Sequence, residues 1–545
     1  MLFLSKRKST QRFRFVFSGV LSLLFTVTAL TVVAVAGVHL KPIGTYATNI
    51  FASGAAEIVA HDVTTQRIFV INASAQGVDA IDISDPTNPT LVGTFDVKPY
   101  GKQANSVAVH NGIVVASVEA NFKQDPGRAV FFDAPTLSYL SDVQIGSLPD
   151  MVTFTPDGYF VLVANEGEPA DDYSVDPEGS ISVIDLRYTI PENLTAANVA
   201  TADFSRFNHR PLHRSVRVFS PGATPAQDFE PEYITVFGYG PHHWKAMVTL
   251  QENNAVAIVD VASAKVKRVL GLGFKNHNVP RNAIDPSNKD NAIRINPWPV
   301  FGMYQPDSIA SYRSRGRTYF VTANEGDSRD YSAFSEEVRV KDVVLDPNRF
   351  PDAATLQLPE NLGRLKITKT LGDFDNDGDY DRLFSYGARS FSIWSLCGRH
   401  GRIGRKLRLV YDSGSDLEHI TASQMPDNFN SDDEENNSFD DRSDDKGPEP
   451  EGLAVGEVDG RTYAFVGLER SGGIVVYDIT RPRRPFFIQY VNTRDFGVEA
   501  GPGAGGDMSP EGLAFIKAVD SPIGVPLLVV SYEVSGSTTI FQVTN

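Results

Sequence analysis

The chain carries a single cysteine, Cys397, among 545 residues. No internal disulfide can form, and Cys397 lies in no nucleophile or metal-ligand context, so it reads as a buried filler. There is no G-x-S-x-G and no H-E-x-x-H, which removes two local signatures of hydrolytic chemistry. His209, His213, His242 and His243 have no nearby partners in the sequence and read as surface residues. Basic charge is in deficit: 50 Lys and Arg stand against 67 Asp and Glu, a net charge of −17. The first 36 residues hold Lys6, Arg7, Lys8, Arg12 and Arg14 and no acid, so the remainder is more acidic still. This balance argues against nucleic acid as a partner and favours cations.

What is present begins with the N-terminus. A basic segment leads into an apolar run, residues 16–36, that ends in Ala34-Val35-Ala36. That order predicts an export signal over residues 1–36 with cleavage after Ala36. The run is also long enough to span a bilayer, so an uncleaved N-terminal anchor is the rival reading. Either way the rest of the chain is expected outside the cytoplasm, secreted, periplasmic or at the cell surface. An exported fold without disulfides can lean on ring closure and bound metal instead.

Residues 37–545 are organised by repetition. The stretch 148–186 reads as Pro-acid, a short strand, a Pro-Asp-Gly turn, a β-rich strand ending in Asn-Glu, a polar insertion, and a strand ending in Asp. The same order returns from residues 230, 305, 449 and 509, with weaker copies from 57 and 105. Seven copies of a small antiparallel unit predict an all-β fold, a seven-bladed β-propeller. The last copy lacks a fourth strand, and a spare strand, residues 41–50, precedes the first copy. Pairing of 41–50 with 538–543 is therefore expected to complete the last blade and remove an exposed edge.

Insertions are expected at 187–227, 262–304, 327–387 and 413–447. All fall between second and third strands or between blades, which places them on one face. Two sets of carboxylates should share that face. Asp150, Glu232, Asp307, Glu451 and Glu511 open the innermost strands. Glu119, Glu166, Glu252, Glu325, Glu469 and Glu533 end the second strands. Together they would form an acidic ring at the channel mouth, where crowded carboxylates call for a cation or Arg partners. Fixing of blade corners through backbone N–H groups is the competing account.

The sharpest local motif is DFDNDGDYD, residues 373–381. Asp373, Asp375, Asp377 and Asp379 alternate, Gly378 allows the sharp turn of a calcium loop, and Asp381 takes the ninth position. The twelfth position is Phe384 rather than Glu, so this is an isolated loop and not an EF-hand. The run 427–445, rich in Asp and Asn, reads either as a solvated acidic linker or as a second cation site. Arg389 and Arg470 lie near the acidic face, as ion-pair partners or as contacts for an oxyanion.

The repeats and motifs together, among them TYFVTANEGDSRDY, LGDFDNDGDYD and FDDRSDDKGPEPEGLAVGEVDG, resemble the choice-of-anchor I family over about residue 40 to the end. The resemblance implies a YVTN/WD40-like propeller displayed outside the cell, akin to mesenchyme-specific cell-surface glycoproteins. Some members are labelled alkaline phosphatase, and no catalytic set carries over position by position. Asn545 follows the last strand without the sorting signal common in the family, so any anchoring is expected through the N-terminal segment. Two function classes remain: a calcium-binding surface or matrix protein that binds metal ions or matrix components, or a metal-dependent phosphoesterase acting on phosphate esters.

Overall fold

The computed structural model describes residues 37–240, 242–396, 404 and 406–545. The expected export segment and Cys397 lie outside the described residues. No helix among the described residues is long and apolar enough to cross a membrane.

Seven four-stranded antiparallel sheets follow one another along the chain. The first strands of sheets one to seven are Val59–Asp62, Ala104–His110, Pro149–Phe154, Pro231–Phe237, Ile309–Ser314, Pro450–Val458 and Pro510–Ile516. Second strands such as Phe160–Asn165 and Leu527–Tyr532 are apolar runs buried along their whole length, as strands covered on both faces must be. Fourth strands such as Thr90–Asp96 are mostly exposed. Apolar clusters bridge consecutive sheets: Phe69 and Phe132 join the first to the second, Leu162 and Val248 the third to the fourth. One cluster, with Val59, Ile68, Leu527 and Ile540, joins the seventh sheet to the first.

The spare N-terminal strand pairs as expected. His39–Ala47 runs antiparallel to Ser537–Thr544, with His39 opposite Thr544 and Ala47 opposite Ser537. It is the fourth strand of the seventh sheet.

The insertion boundaries need correction. Residues 187–227 contain Val199–Asp203, and residues 262–304 contain Lys265–Gly271, the fourth strands of sheets three and four. Their sequences lack the turn punctuation of the earlier strands, so they read as loop. The insertions are not loose. Residues 262–304 and 327–387 share a small sheet, Phe274–Asn276, Val300–Met303 and Leu383–Ser385. They also share an apolar core that includes Ile284, Val340, Phe350 and Leu365. Residues 413–447 form the helix Asp416–Gln424 and then a packed loop with Asn430, Asp440 and Ser443 buried. The acidic run 427–445 is therefore not a solvated linker.

Candidate metal centre

The innermost strand starts place one polar side chain per sheet. In order these are Glu57, Asn105, Asp150, Glu232, Asp307, Glu451 and Glu511. In five sheets the ladder carries an extra residue here; between Pro149 and Val152, for example, three steps face two on the partner strand. A bulge of this kind bends a strand and re-aims a side chain. In four sheets the residue just before the Pro has a positive φ: Leu148 43°, Gln305 40°, Glu449 48° and Ser509 64°. Neighbouring sheets then fix the acidic residues by their carbonyls. Ser117 Oγ donates to the carbonyl of Asp150 at 3.1 Å, and Thr249 Oγ1 to that of Asp307 at 2.9 Å. The sequence reading missed Glu57 and Asn105. The first two copies lack the Pro, and only alignment of AEIV and ANSV on PEYI would have found them.

A cavity of about 50 Å³ lies between these strands, lined by Asn105, Asp150, Tyr233, Asp307, Glu451 and Glu511. Glu451 Oε2 and Glu511 Oε2 are inaccessible to solvent and have no hydrogen-bond partner among the described residues. Burial raises Asp150 to about 7. Burial and then the carboxylates of Glu533, Asp150 and Glu119 raise Glu57 to about 8. Glu232, Asp307, Glu451 and Glu511 are raised well above the usual carboxylate range, by burial first and by acidic neighbours second.

The second-strand ends form an outer tier with one register correction. Pro149 pairs with Asn165 and Pro231 with Leu250. The position of Glu166 is thus held in the fourth sheet by Gln251, not by Glu252. Gln251 Nε2 donates to Glu325 Oε2 at 3.0 Å. Glu252 sits one residue on, buried, and is raised to about 8 by burial and by Glu230. Glu119 is paired with Lys102 at 2.8 Å. Glu533 and Glu469 line a wider cavity of about 450 Å³, together with Glu57, Asp433, Glu434 and Arg470.

Cations from the insertion 413–447, joined by Arg470 from the sixth sheet, reach one side of these acids. Lys446 Nζ lies 2.5 Å from Glu325 and 3.0 Å from Glu449. Arg442 contacts Glu449 at 2.7 Å. Arg470 contacts Asp433 at 2.6 Å, Glu469 at 3.1 Å and Glu449 at 3.3 Å. Buried Glu449 would be raised by desolvation, but Lys446, Arg442 and Arg470 outweigh it and hold the carboxyl at about 2. Arg389 is placed differently from the oxyanion expectation. Its guanidinium is buried and donates to Glu418 and to the carbonyls of Asp285, Ser443 and Asp445. It ties two insertions together.

The loop 373–381 brings together Asp373, Asp375 and Asp381, whose oxygens lie within 4.8 Å of one another. Asp377 and Asp379 do not join that group. Asp377 Oδ1 accepts the N–H of Asp379 at 3.2 Å instead. Asn376 and Gly378 take positive φ values of 61° and 97°, which turn the chain around the acids. His209, His213, His242 and His243 are exposed, as expected.

Among the described residues, carboxylate oxygens gather at the strand starts and on the loop 373–381, donor sets that suit a hard divalent cation. The choice-of-anchor I domain matches residues 57–482. The chain belongs to the choice-of-anchor I family. Its relatives include Gigasin-3a of Magallana gigas, 32% identical over 192 residues, 33% of this chain and 64% of that protein. Another is the mesenchyme-specific cell surface glycoprotein of Strongylocentrotus purpuratus, 28% identical over 243 residues, 39% of this chain and 30% of that one. The choice-of-anchor I chain thus aligns with less than two thirds of either relative. Among solved structures it is similar to the β-propeller domain of Cps50 (Swd1) from Myceliophteria thermophila, over 92% of this chain and 100% of that one, at 8% identity and a TM-score of 0.44. The fold of this family member is all-β, with propeller-like neighbours.

Proposed function

We propose that this choice-of-anchor I chain is an exported, calcium-binding protein of the cell surface or extracellular matrix, with a binding or scaffold role. Its seven sheets are read as the blades of one closed propeller. The apolar cluster between the seventh and first sheets and the pairing of His39–Ala47 with Ser537–Thr544 support closure. The cell-surface relative supports the location. The observation that carries calcium binding is the convergence of Asp373, Asp375 and Asp381 on a loop turned by Gly378. The alternative, a metal-dependent phosphoesterase, draws on one feature: Arg470 lines the acidic mouth, where a guanidinium suits a phosphoryl oxygen.

One sample tests both. The double variant Asp373→Asn/Asp375→Asn should melt below the wild type in calcium and with it in chelator, because a ligand stabilises only the state it binds, by about 2.7 kcal/mol at a hundredfold excess over Kd. An equal loss in both conditions makes the loop a structural turn. Wild-type protein loaded with calcium should not turn over a phosphate monoester. Turnover that Arg470→Ala abolishes would replace the scaffold reading with the phosphoesterase one.

A further inference from the structure

We infer that Asp150, Glu166 and Glu232 hold a resident divalent cation of the calcium type, between the third and fourth sheets at the channel mouth. This rests on the metal-binding reading of the chain but not on the loop 373–381. The three carboxylates offer oxygens that all lie within 4.8 Å of one another. Calcium–oxygen distances of about 2.4 Å let a single ion touch oxygens up to about 4.8 Å apart. Independently, Glu232 is only 8% exposed, and among the described residues burial and the acids Glu166, Glu252, Asp150 and Asp307 are what act on its carboxylate, with no hydrogen bond or cation. With so little of the residue exposed, its charge carries a desolvation cost that a cation on its oxygens would offset. Glu252 adds negative charge beside Glu166 and Glu232: it is 6% exposed, and its Oε2 is buried without a partner.

The side of the mouth around Glu325, Glu449 and Glu469 shows what neutralisation by the protein itself looks like. Lys446, Arg442 and Arg470 serve Glu325, Glu449 and Glu469. No basic side chain among the described residues forms an ion pair with Asp150, Glu166 or Glu232. Lys123, the cation acting on Glu166, is itself paired with Glu168. An all-carboxylate donor set selects a hard cation over zinc or copper.

The test uses the full exported chain, stripped with chelator and titrated with calcium, with metal content measured on the same sample. Glu232→Gln should lose one equivalent of calcium, or bind it about tenfold or more weakly, since even outer partners of metal ligands cost that much. Its melting temperature should rise above the wild type in chelator at pH 8, where the cost of burying an ionisable carboxyl among acids is gone, and fall below it in calcium. Glu325→Gln should keep its calcium content, because Glu325 is already held by Lys446 and Gln251. Unchanged calcium content in Glu232→Gln, or the same destabilisation with and without calcium, overturns the inference. If Asp373→Asn/Asp375→Asn binds none while Glu232→Gln binds as the wild type does, the mouth site falls and the loop stands. The reverse pattern sinks the loop and keeps the mouth. Should Glu232→Gln fail to fold, the loop double variant decides: one retained equivalent supports the inference, and none overturns it.

Discussion

Lys446 does for Glu325 and Glu449 what a bound cation would do. Its side chain is 10% exposed, and both carboxylates sit within 3.0 Å of its ammonium. The two acids raise its pKa well above the usual lysine value despite burial, so it stays charged at any physiological pH. Removing one member of a buried pair leaves its partners uncompensated, at about 3–5 kcal/mol. Lys446→Met should therefore lower the melting temperature at pH 8 in chelator. Added calcium should restore part of the loss, because Glu325, Glu449 and Glu469 offer oxygens within 4.8 Å of one another once the ammonium is gone. Melting with and without calcium reads this directly, and a loss that calcium leaves untouched would show that the cluster cannot exchange an ammonium for a metal.

The working element is the bulged strand start that follows the Pro. The Pro, the positive φ before it and the extra residue after it turn an acid toward the cavity shared by these strands without breaking the ladder beyond. The order of strands was legible because this punctuation is local: Pro-acid, Asn-Glu and Pro-Asp-Gly each act within a few residues. Register was not. Gln251 and Glu252 are adjacent, and only the pairing of Pro231 with Leu250 tells which one takes the place of Glu166. The strand His39–Ala47 carries its own prediction. Without it, the backbone of Ser537–Thr544 becomes a free edge, and a free edge recruits other chains. A chain that begins at residue 49 should aggregate at concentrations where the chain from residue 37 stays monodisperse in light scattering. A synthetic peptide of residues 37–48 added during refolding should suppress this by strand addition. Equal solubility of both chains would show that the seventh sheet does not depend on that strand.

At the scale of the molecule, ion pairs tie the insertions to one another and to the approach to the fourth sheet. Arg329 pairs with Asp228 and Glu230 at 2.6 and 2.8 Å, Arg364 with Asp444 at 2.8 Å, and Lys366 with Asp445 at 3.2 Å. The sequence led to the expectation of insertions on one face but could not show which cations they carry to which acids, since Lys446 and Glu325 are 121 residues apart. Most of the strand-start carboxylates were legible one by one; the uneven supply of cations around them was not, because it depends on how separate loops fold together. That unevenness sets the pH response. Asp150 rises from 3.8 to about 7 in the folded chain, and Glu57 and Glu252 from 4.5 to about 8. A carboxyl whose folded pKa is raised binds its proton more tightly in the native state. Its contribution to stability is full below the unfolded pKa and is lost as the pH climbs through the folded one. Chelated protein should thus weaken between pH 5 and pH 8, with Asp150 alone contributing on the order of 3 kcal/mol, or about 2–4 °C for a chain of this size. Glu449, held at about 2, works in the opposite sense and only below pH 4.5. Calcium bound as proposed would take over the role of the protons, so the loaded protein should lose less stability than the chelated protein between pH 5 and pH 8. Melting curves at the two pH values, with calcium and with chelator, test this. A chelated chain that melts higher at pH 8 than at pH 5 would mean that these carboxyls are not held protonated at the channel mouth.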